Sequence, residues 1–346
     1  MSKQHQTVTQ KDVAELAGVS SAVVSYVINN GPRHVSESTK KRVLAAVEKL
    51  SYRPNKFAQA LGKTATDLAE KQIGIVIGGS SAVIQQPFYA ALLSGIFDYV
   101  HDIGYHIRFM HFWDELKDPV LFNTQVHPEQ ISALILLAAD LMRIDPNYMN
   151  VVEKLEERIE HIVCLDTPVS DFPTVTFDRS AAARIIVEHF IGLGHRYIAF
   201  VGNTGRRVEY YRQALLMHDL PVRAEWMQHP GPHNSSKEGY MGTQAILELD
   251  ELPTAIFAAS DDVAIGVLHA IHASGRQIPR DIAVAGVDNS PFSAYLWPPL
   301  TTVNVPTMDI SRHVLNMIAN NQRTSNIRVV VDVNLIIRQS CGAHSP

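Results

Sequence analysis

Two spacings of apolar residues divide the chain. From residue 8 to residue 53 apolar positions recur three and four apart over short stretches, which predicts three brief helices. Thr9 is placed to cap the first, with Asp12 in a capping-box position and Val13, Leu16 and Ala17 expected inward. Gly18 permits a sharp turn, and Ser20 can cap a second helix whose Val24, Val27 and Ile28 point inward. Its opposite face, Ser21, Ala22, Ser25, Tyr26 and Asn29, forms one outward stripe. The loop NNGPRHVS follows, and then Ser36 caps a third helix through Val43, Leu44, Val47 and Leu50.

A capped short helix, a glycine turn and a second helix with a small polar outer face make a helix-turn-helix unit, which points to DNA; a three-helix interaction module would share these turns and caps. Pro54 ends the bundle, NKFAQALG is too short to be stable alone as a helix, and GKTATDLAEKQ reads as a linker.

From Ile73 the pattern changes. IGIVIGG, YHIRFMHF, SALILLAA, HIVCLD, YIAFVG, AIFAAS and IAVAGV are short apolar runs. Segments of helical period such as FYAALLSGIFDYVHDIG, AAARIIVEHFIGLG and DDVAIGVLHAIHASG separate them. This alternation predicts an α/β fold with parallel sheets and right-handed crossovers, and its length predicts two such sheets.

Charge is uneven along the chain. Residues 1–63 hold ten bases and four acids, net +6, leaving −11 for the remainder of a chain whose net charge is −5. A basic head on an acidic body favours a polyanionic partner for the head alone. With two cysteines among 346 residues a disulfide framework is excluded, and Cys164 in HIVCLD reads as a buried small hydrophobe. The N-terminal MSKQHQTVTQKD lacks an apolar leader core and no window approaches the roughly 18 apolar residues of a membrane span, so a cytoplasmic protein is expected.

Enzyme motifs are absent. The glycines of IGIVIGG do not form GxGxxG, and there is no phosphate-loop, GxSxG or HExxH pattern. His229 and His233 in QHPGPHN lack a helical metal-binding spacing, and His195 in GLGHRYIAF suits a structural hydrogen bond. No catalytic residue, metal or cofactor is expected.

TVTQKDVAELAGVSSAVVSYVINN, followed by VSESTKKRVLAAVEKLSYRPNKFAQAL, resembles the DNA-binding head and hinge of the lactose-repressor (LacI) family of bacterial transcription regulators. LGHRYIAFVGN, SDDVAIGVLHAIHASG and IPRDIAVAGVDNSPFSAYLWPPLTTV are similar to that family's effector-binding core. The resemblance implies a homodimer or dimer of dimers on a palindromic double-stranded operator. It also implies a core like periplasmic sugar-binding proteins, with a small effector between two doubly wound parallel-sheet subdomains. The expected divisions are a head at 1–54, a hinge and linker at 55–71, an N-terminal subdomain at 72–176 plus 306–325 and a C-terminal one at 177–305 plus 326–346.

The same resemblance assigns residues to roles. Ser21, Ala22, Tyr26 and His34 would read bases, and Thr9, Ser20, Asn29 and Thr39 would contact the DNA backbone. Ala58 and Leu61 would form the minor-groove hinge, with Leu61 as the wedge. Arg207 would hold adjacent hydroxyls or an anion, Asp166, Ser260 and Asp288 would bond ligand hydroxyls, and Phe88 and Tyr89 would stack on a ring. Tyr26 stands where the family usually has arginine, Ser260 where asparagine is frequent, Val287 where an aromatic is common, Tyr210 in place of a glycine and Asn234 in place of an aromatic lid. A carbohydrate is the expected effector, with a nucleobase or nucleoside, or a protein partner, as alternatives. A transport sugar-binding protein would share the core fold, and the DNA head and missing leader argue against it.

Overall fold

The computed structural model describes residues 8–28, 35–52, 71–231, 233–320 and 327–343. Asn29, His34, Ala58 and Leu61 lie outside the described residues. The chain divides into two compact units, residues 1–83, 96–174 and 312–328, and residues 84–95, 175–311 and 329–346.

The head folds as α1 (Gln10–Ala17), α2 (Ser21–Ile28) and α3 (Glu37–Leu50). Thr9 caps α1 in a full capping box: its side chain accepts from the Asp12 N–H, and the Asp12 carboxylate accepts the Thr9 N–H at 2.6 Å. Gly18 ends the helix with φ 64°, where a side chain would be strained. Val13, Ala14, Ala17, Val24, Val43, Ala46, Val47 and Tyr52 form the head core, with Val27, Ile28 and Leu50 packed against it. Leu16 corrects the sequence expectation. Positions 13, 14 and 17 centre the buried stripe of an eight-residue helix, so residue 16 falls on its flank and is 44% exposed.

One six-stranded sheet has the order β11-β5-β4-β3-β1-β2, formed by β1 (Gln72–Ile77), β2 (His106–Phe112), β3 (Ala133–Leu137), β4 (His161–Leu165), β5 (Thr174–Phe177) and β11 (Arg328–Val331). β1 pairs in parallel with β2 and β3, and β3 with β4. Val76, Leu134, Leu136, Ile162 and Cys164 on the sheet pack with Trp113, Phe122, Val152 and Leu155 in one cluster. Phe122 comes from α6 (Pro119–Gln125) and Leu155 from α8 (Tyr148–Arg158), which follow α4 (Ser81–Ile84) and α5 (Pro87–Tyr99) and flank the short α7 (Ala139–Met142). Cys164 is fully buried, as its apolar context predicts, and burial pushes its thiol up to about 12, leaving it protonated and inert.

The second sheet has the order β12-β10-β9-β8-β6-β7, from β6 (Ile198–Val201), β7 (Met227–Gln228), β8 (Ala255–Ala258), β9 (Ala283–Asp288), β10 (Thr301–Asn304) and β12 (Asn334–Ile336). All pairs are parallel except β10 with β12. In each sheet the strand order reverses beside the first strand, the arrangement that makes a binding crevice outside the carboxyl ends of parallel strands.

The helices of the second half are α9 (Arg179–Gly192), α10 (Arg206–Met217), α11 (Ser236–Leu247), α12 (Asp261–Ala273) and α13 (Thr307–Ala319). Val201, Ile256, Ala258 and Val284 on the sheet pack against Ile246 of α11 and Val263, Val267 and Ile271 of α12. These two helices touch at glycines: a Cβ at Gly239 would lie 2.1 Å from the Val263 carbonyl oxygen, and one at Gly266 would lie 1.9 Å from that of Ser236. No helix among the described residues is long and apolar enough to cross a membrane.

Candidate DNA-binding and effector sites

In the head, Ser21 and Ala22 are exposed on the first turn of α2, and Ser25 and Tyr26 are half-buried one turn later. The Ser20 hydroxyl accepts the Val23 N–H at 3.4 Å, and the Gln10 side-chain amide donates to the Ser21 carbonyl at 2.9 Å, tying the start of α2 to α1. Thr39 Oγ1 accepts from the Ser36 hydroxyl at 2.9 Å, while Ser36 caps α3. Three residues assigned to the DNA backbone, Thr9, Ser20 and Thr39, therefore belong to helix N-termini, where partial positive charge favours a phosphate.

In the core, Asp166, Ser260 and Asp288 each lie at or just beyond a strand end. Asp166 follows β4, is 4% exposed and has φ 79°. Asp288 ends β9 with φ 114°, and Ser260 lies two residues beyond β8. Phe88 is buried and meets Tyr89 edge-on at 5.2 Å and Phe177 at 5.9 Å. The Arg179 guanidinium covers the Phe177 ring at 4.3 Å, a stack without a periodic sequence signal because it spans the turn from β5 into the following helix.

Arg207 sits in the first turn of α10, half-buried, and no hydrogen bond or ion pair among the described residues holds its guanidinium. Gly205 caps that helix without a side chain, so the cap supplies no side-chain acceptor to the first-turn N–H groups. Ser260 is committed to the protein: its Oγ accepts the Val263 N–H at 3.2 Å and caps α12. Asn234, with φ 49°, accepts the Asn203 N–H at 2.7 Å through Oδ1 and so braces the end of β6. His195 Nδ1 pairs with Thr254 Oγ1 at 2.9 Å and His229 Nδ1 with the Gly202 carbonyl at 2.8 Å, both structural contacts. No group of histidine, cysteine and acidic residues among those described could hold a metal ion.

A further network adjoins Ser260 and Asp288. Asp261, fully buried, accepts from the Thr302 hydroxyl at 2.6 Å and from the Ser290 N–H at 2.7 Å. Burial pushes its carboxyl well above the ordinary range, and the neighbouring Asp288 charge adds to that, outweighing these hydrogen bonds and the Arg338 charge. Arg338 reaches the same turn from the C-terminal segment. The one sequence signal for it was an isolated base between the apolar run NLII and QSCG.

A helix-turn-helix head followed by two doubly wound sheets defines a DNA-binding regulator with a periplasmic-binding-protein-like core. Residues 9–55 match the family described as bacterial regulatory proteins, lacI family, and residues 187–341 match the periplasmic binding protein-like domain. Catabolite control protein A of Priestia megaterium is 31% identical over 93% of this chain and 96% of its own. The lac repressor dimer solved bound to operator and the anti-inducer ONPF is 27% identical, with a TM-score of 0.65 over 98% of this chain and 100% of that one. The transcriptional regulator CelR, solved with cellobiose, shares the fold at 24% identity, with a TM-score of 0.68 over 96% of this chain and 99% of the other. The chain belongs to the lacI family of bacterial regulators: it is a DNA-binding transcriptional regulator and not an enzyme.

Proposed function

We propose that the protein is a cytoplasmic homodimeric repressor of a transport or catabolic operon, released from or secured on a palindromic operator by a carbohydrate. The observation that carries the effector reading is the uncommitted Arg207 guanidinium beside the open N-terminus of α10. A planar fork of N–H donors suits vicinal hydroxyls or a sugar acid. Asp288 and Asp166 at strand ends supply acceptors, and half-buried Tyr89, met edge-on by buried Phe88, supplies an aromatic ring for a sugar to stack on. The sugar-bound relative supports the same class of ligand. Ser260 contributes through the cap that shapes the strand end.

On DNA, Ser21, Ala22 and Tyr26 are proposed to select bases, with His34 as a further reader. Thr9, Ser20, Asn29 and Thr39 are proposed to hold phosphates, and Ala58 and Leu61 to enter the minor groove. A ligand shifts operator affinity only by binding the two core states unequally. Thermal-shift titration with cellobiose, sucrose, ribose and guanine tests the reading. A sugar should raise the melting temperature and change operator affinity in a gel-shift assay, and Arg207→Ala should abolish both responses. Stabilisation by guanine alone would replace the carbohydrate with a nucleobase, and no response at millimolar concentration would favour a protein partner.

A further inference from the structure

The turn that follows β9 is held in a conformation its residues do not favour. Asp288 has φ 114° and Asn289 φ 55°, two consecutive side-chain-bearing residues in the half of backbone space that glycine prefers. Such a pair persists only where the surroundings over-determine it, and strain of this kind concentrates at ligand clamps.

The restraints come from two directions. On one side, Asp261 accepts the Ser290 N–H and the Thr302 hydroxyl, and Thr302 Oγ1 in turn accepts the Asn289 N–H at 3.3 Å. On the other, Arg338 Nη2 donates to Asn289 Oδ1 at 2.8 Å, while Nη1 donates to the Leu300 carbonyl at 2.6 Å and Ser293 Oγ at 3.1 Å. The Asn289 amide donates onward to Asn304 Oδ1 at 3.0 Å, so its side chain is held at both ends.

Arg338 is itself fixed. Its N–H donates to Thr301 Oγ1 at 2.8 Å and its carbonyl accepts that hydroxyl at 3.1 Å. Ser340, two residues on, accepts the Thr301 N–H at 2.8 Å and donates to the Val284 carbonyl at 2.7 Å. β9 and β10 already pair in register from Ala285–Thr301 to Asp288–Asn304 through their backbones. The guanidinium therefore spends its donors beyond the strands, on the turn and loop of residues 289–300.

We propose that Arg338 is a positioning residue for effector recognition: its planar fork locks Asn289 and the loop to Leu300, and thereby presents the Asp288 carboxylate at the strand end in one orientation. This rests on the reading of Asp288 as an effector contact. The fork geometry is what the site uses, because one rigid group serves three acceptors lying in different directions, which a lysine ammonium on a flexible stem does not reproduce.

Hydrogen–deuterium exchange on the full-length protein tests the positioning directly. Arg338→Met and Arg338→Lys should both speed exchange of amides in residues 288–300, by about tenfold or more for the methionine variant, with β6 and α10 unchanged. Asn289→Gly adopts φ 55° without strain, so the methionine substitution should have a smaller effect in that background. Unchanged exchange in 288–300, or equal acceleration across the whole second unit, would overturn the proposal. Thermal-shift titration with cellobiose, sucrose and ribose separates it from the effector reading. Weaker sugar affinity in both Asp288→Asn and Arg338→Met supports both ideas. Full affinity in Asp288→Asn, with a loosened loop in Arg338→Met, overturns only the assignment of Asp288 as a contact. Loss in Asp288→Asn with neither affinity nor exchange altered in Arg338→Met overturns only the positioning role.

Discussion

The Thr302 hydroxyl donates to the fully buried Asp261 carboxylate over 2.6 Å, joining the first turn of α12 to the middle of β10. Its second oxygen takes the Ser290 N–H at 2.7 Å, so one side chain ties three segments that converge at the carboxyl ends of strands.

This buried acid makes stability depend on pH in an unusual sense. Burial, then Asp288, raises its folded pKa above that of the unfolded chain, against the pull of Thr302, Ser290 and Arg338. Between the ordinary carboxylate value and the raised one the folded state binds more protons. Its unfolding free energy therefore falls as pH rises through that window and levels off above it. In Asp261→Asn, the amide oxygen can accept the Ser290 N–H while its NH2 donates to Thr302, whose hydroxyl also accepts. Urea denaturation across pH should show the fall in the wild type and not in the variant; parallel curves would refute this account.

The contact between α11 and α12 requires glycine. A methyl at Gly266 would meet the Ser236 carbonyl oxygen at 1.9 Å and the Tyr240 nitrogen at 2.4 Å, backbone atoms that cannot rotate away. Gly266→Ala should cost about 2 kcal/mol or more, despite a gain of roughly 1 kcal/mol in helix propensity. A denaturation midpoint equal to or above the wild type would show that the helices part freely.

Ser260 has a structural duty that can be measured separately from ligand binding. Its removal in Ser260→Ala leaves the Val263 N–H without its cap and should lower stability by about 1 kcal/mol. Ser260→Asn retains a capping oxygen and should recover most of that loss in chemical denaturation. Equal instability of the two variants would argue against capping.

Tyr26 lies on the outer face of α2, one turn after exposed Ala22. Arginine at that position would offer a bidentate donor to guanine, worth about 1–3 kcal/mol of discrimination. Binding-site selection with Tyr26→Arg should return a consensus altered at one symmetric pair of positions while overall affinity for DNA is retained. An identical consensus would remove Tyr26 from the base-reading set.

Local chemistry made much of this architecture legible in the sequence. The Thr9–Asp12 box, Gly18 and Ser36 fix the head helices through contacts within three or four residues, and the apolar runs mark seven parallel strands. Asp166 and Asp288, assigned by resemblance to the family, lie at the ends of two of those runs. β10 was invisible because its sequence, TTVN, carries two threonines that are nonetheless fully buried, their hydroxyls bonded to Arg338, Cys341 and Asp261. Leu16 looked inward by period and lies outward because the narrow core of three short helices admits only the stripe beside it.

The sequence by itself determined the three head helices, the alternation of strand and helix that follows them, and the family. Tertiary structure alone decided that Thr302 and Ser290 meet the buried Asp261 and that Arg338 restrains a turn forty-nine residues away. Periodicity and capping report interactions between chain neighbours. Whether a buried hydroxyl, carboxylate or guanidinium finds a partner depends on which distant strands the sheet sets side by side.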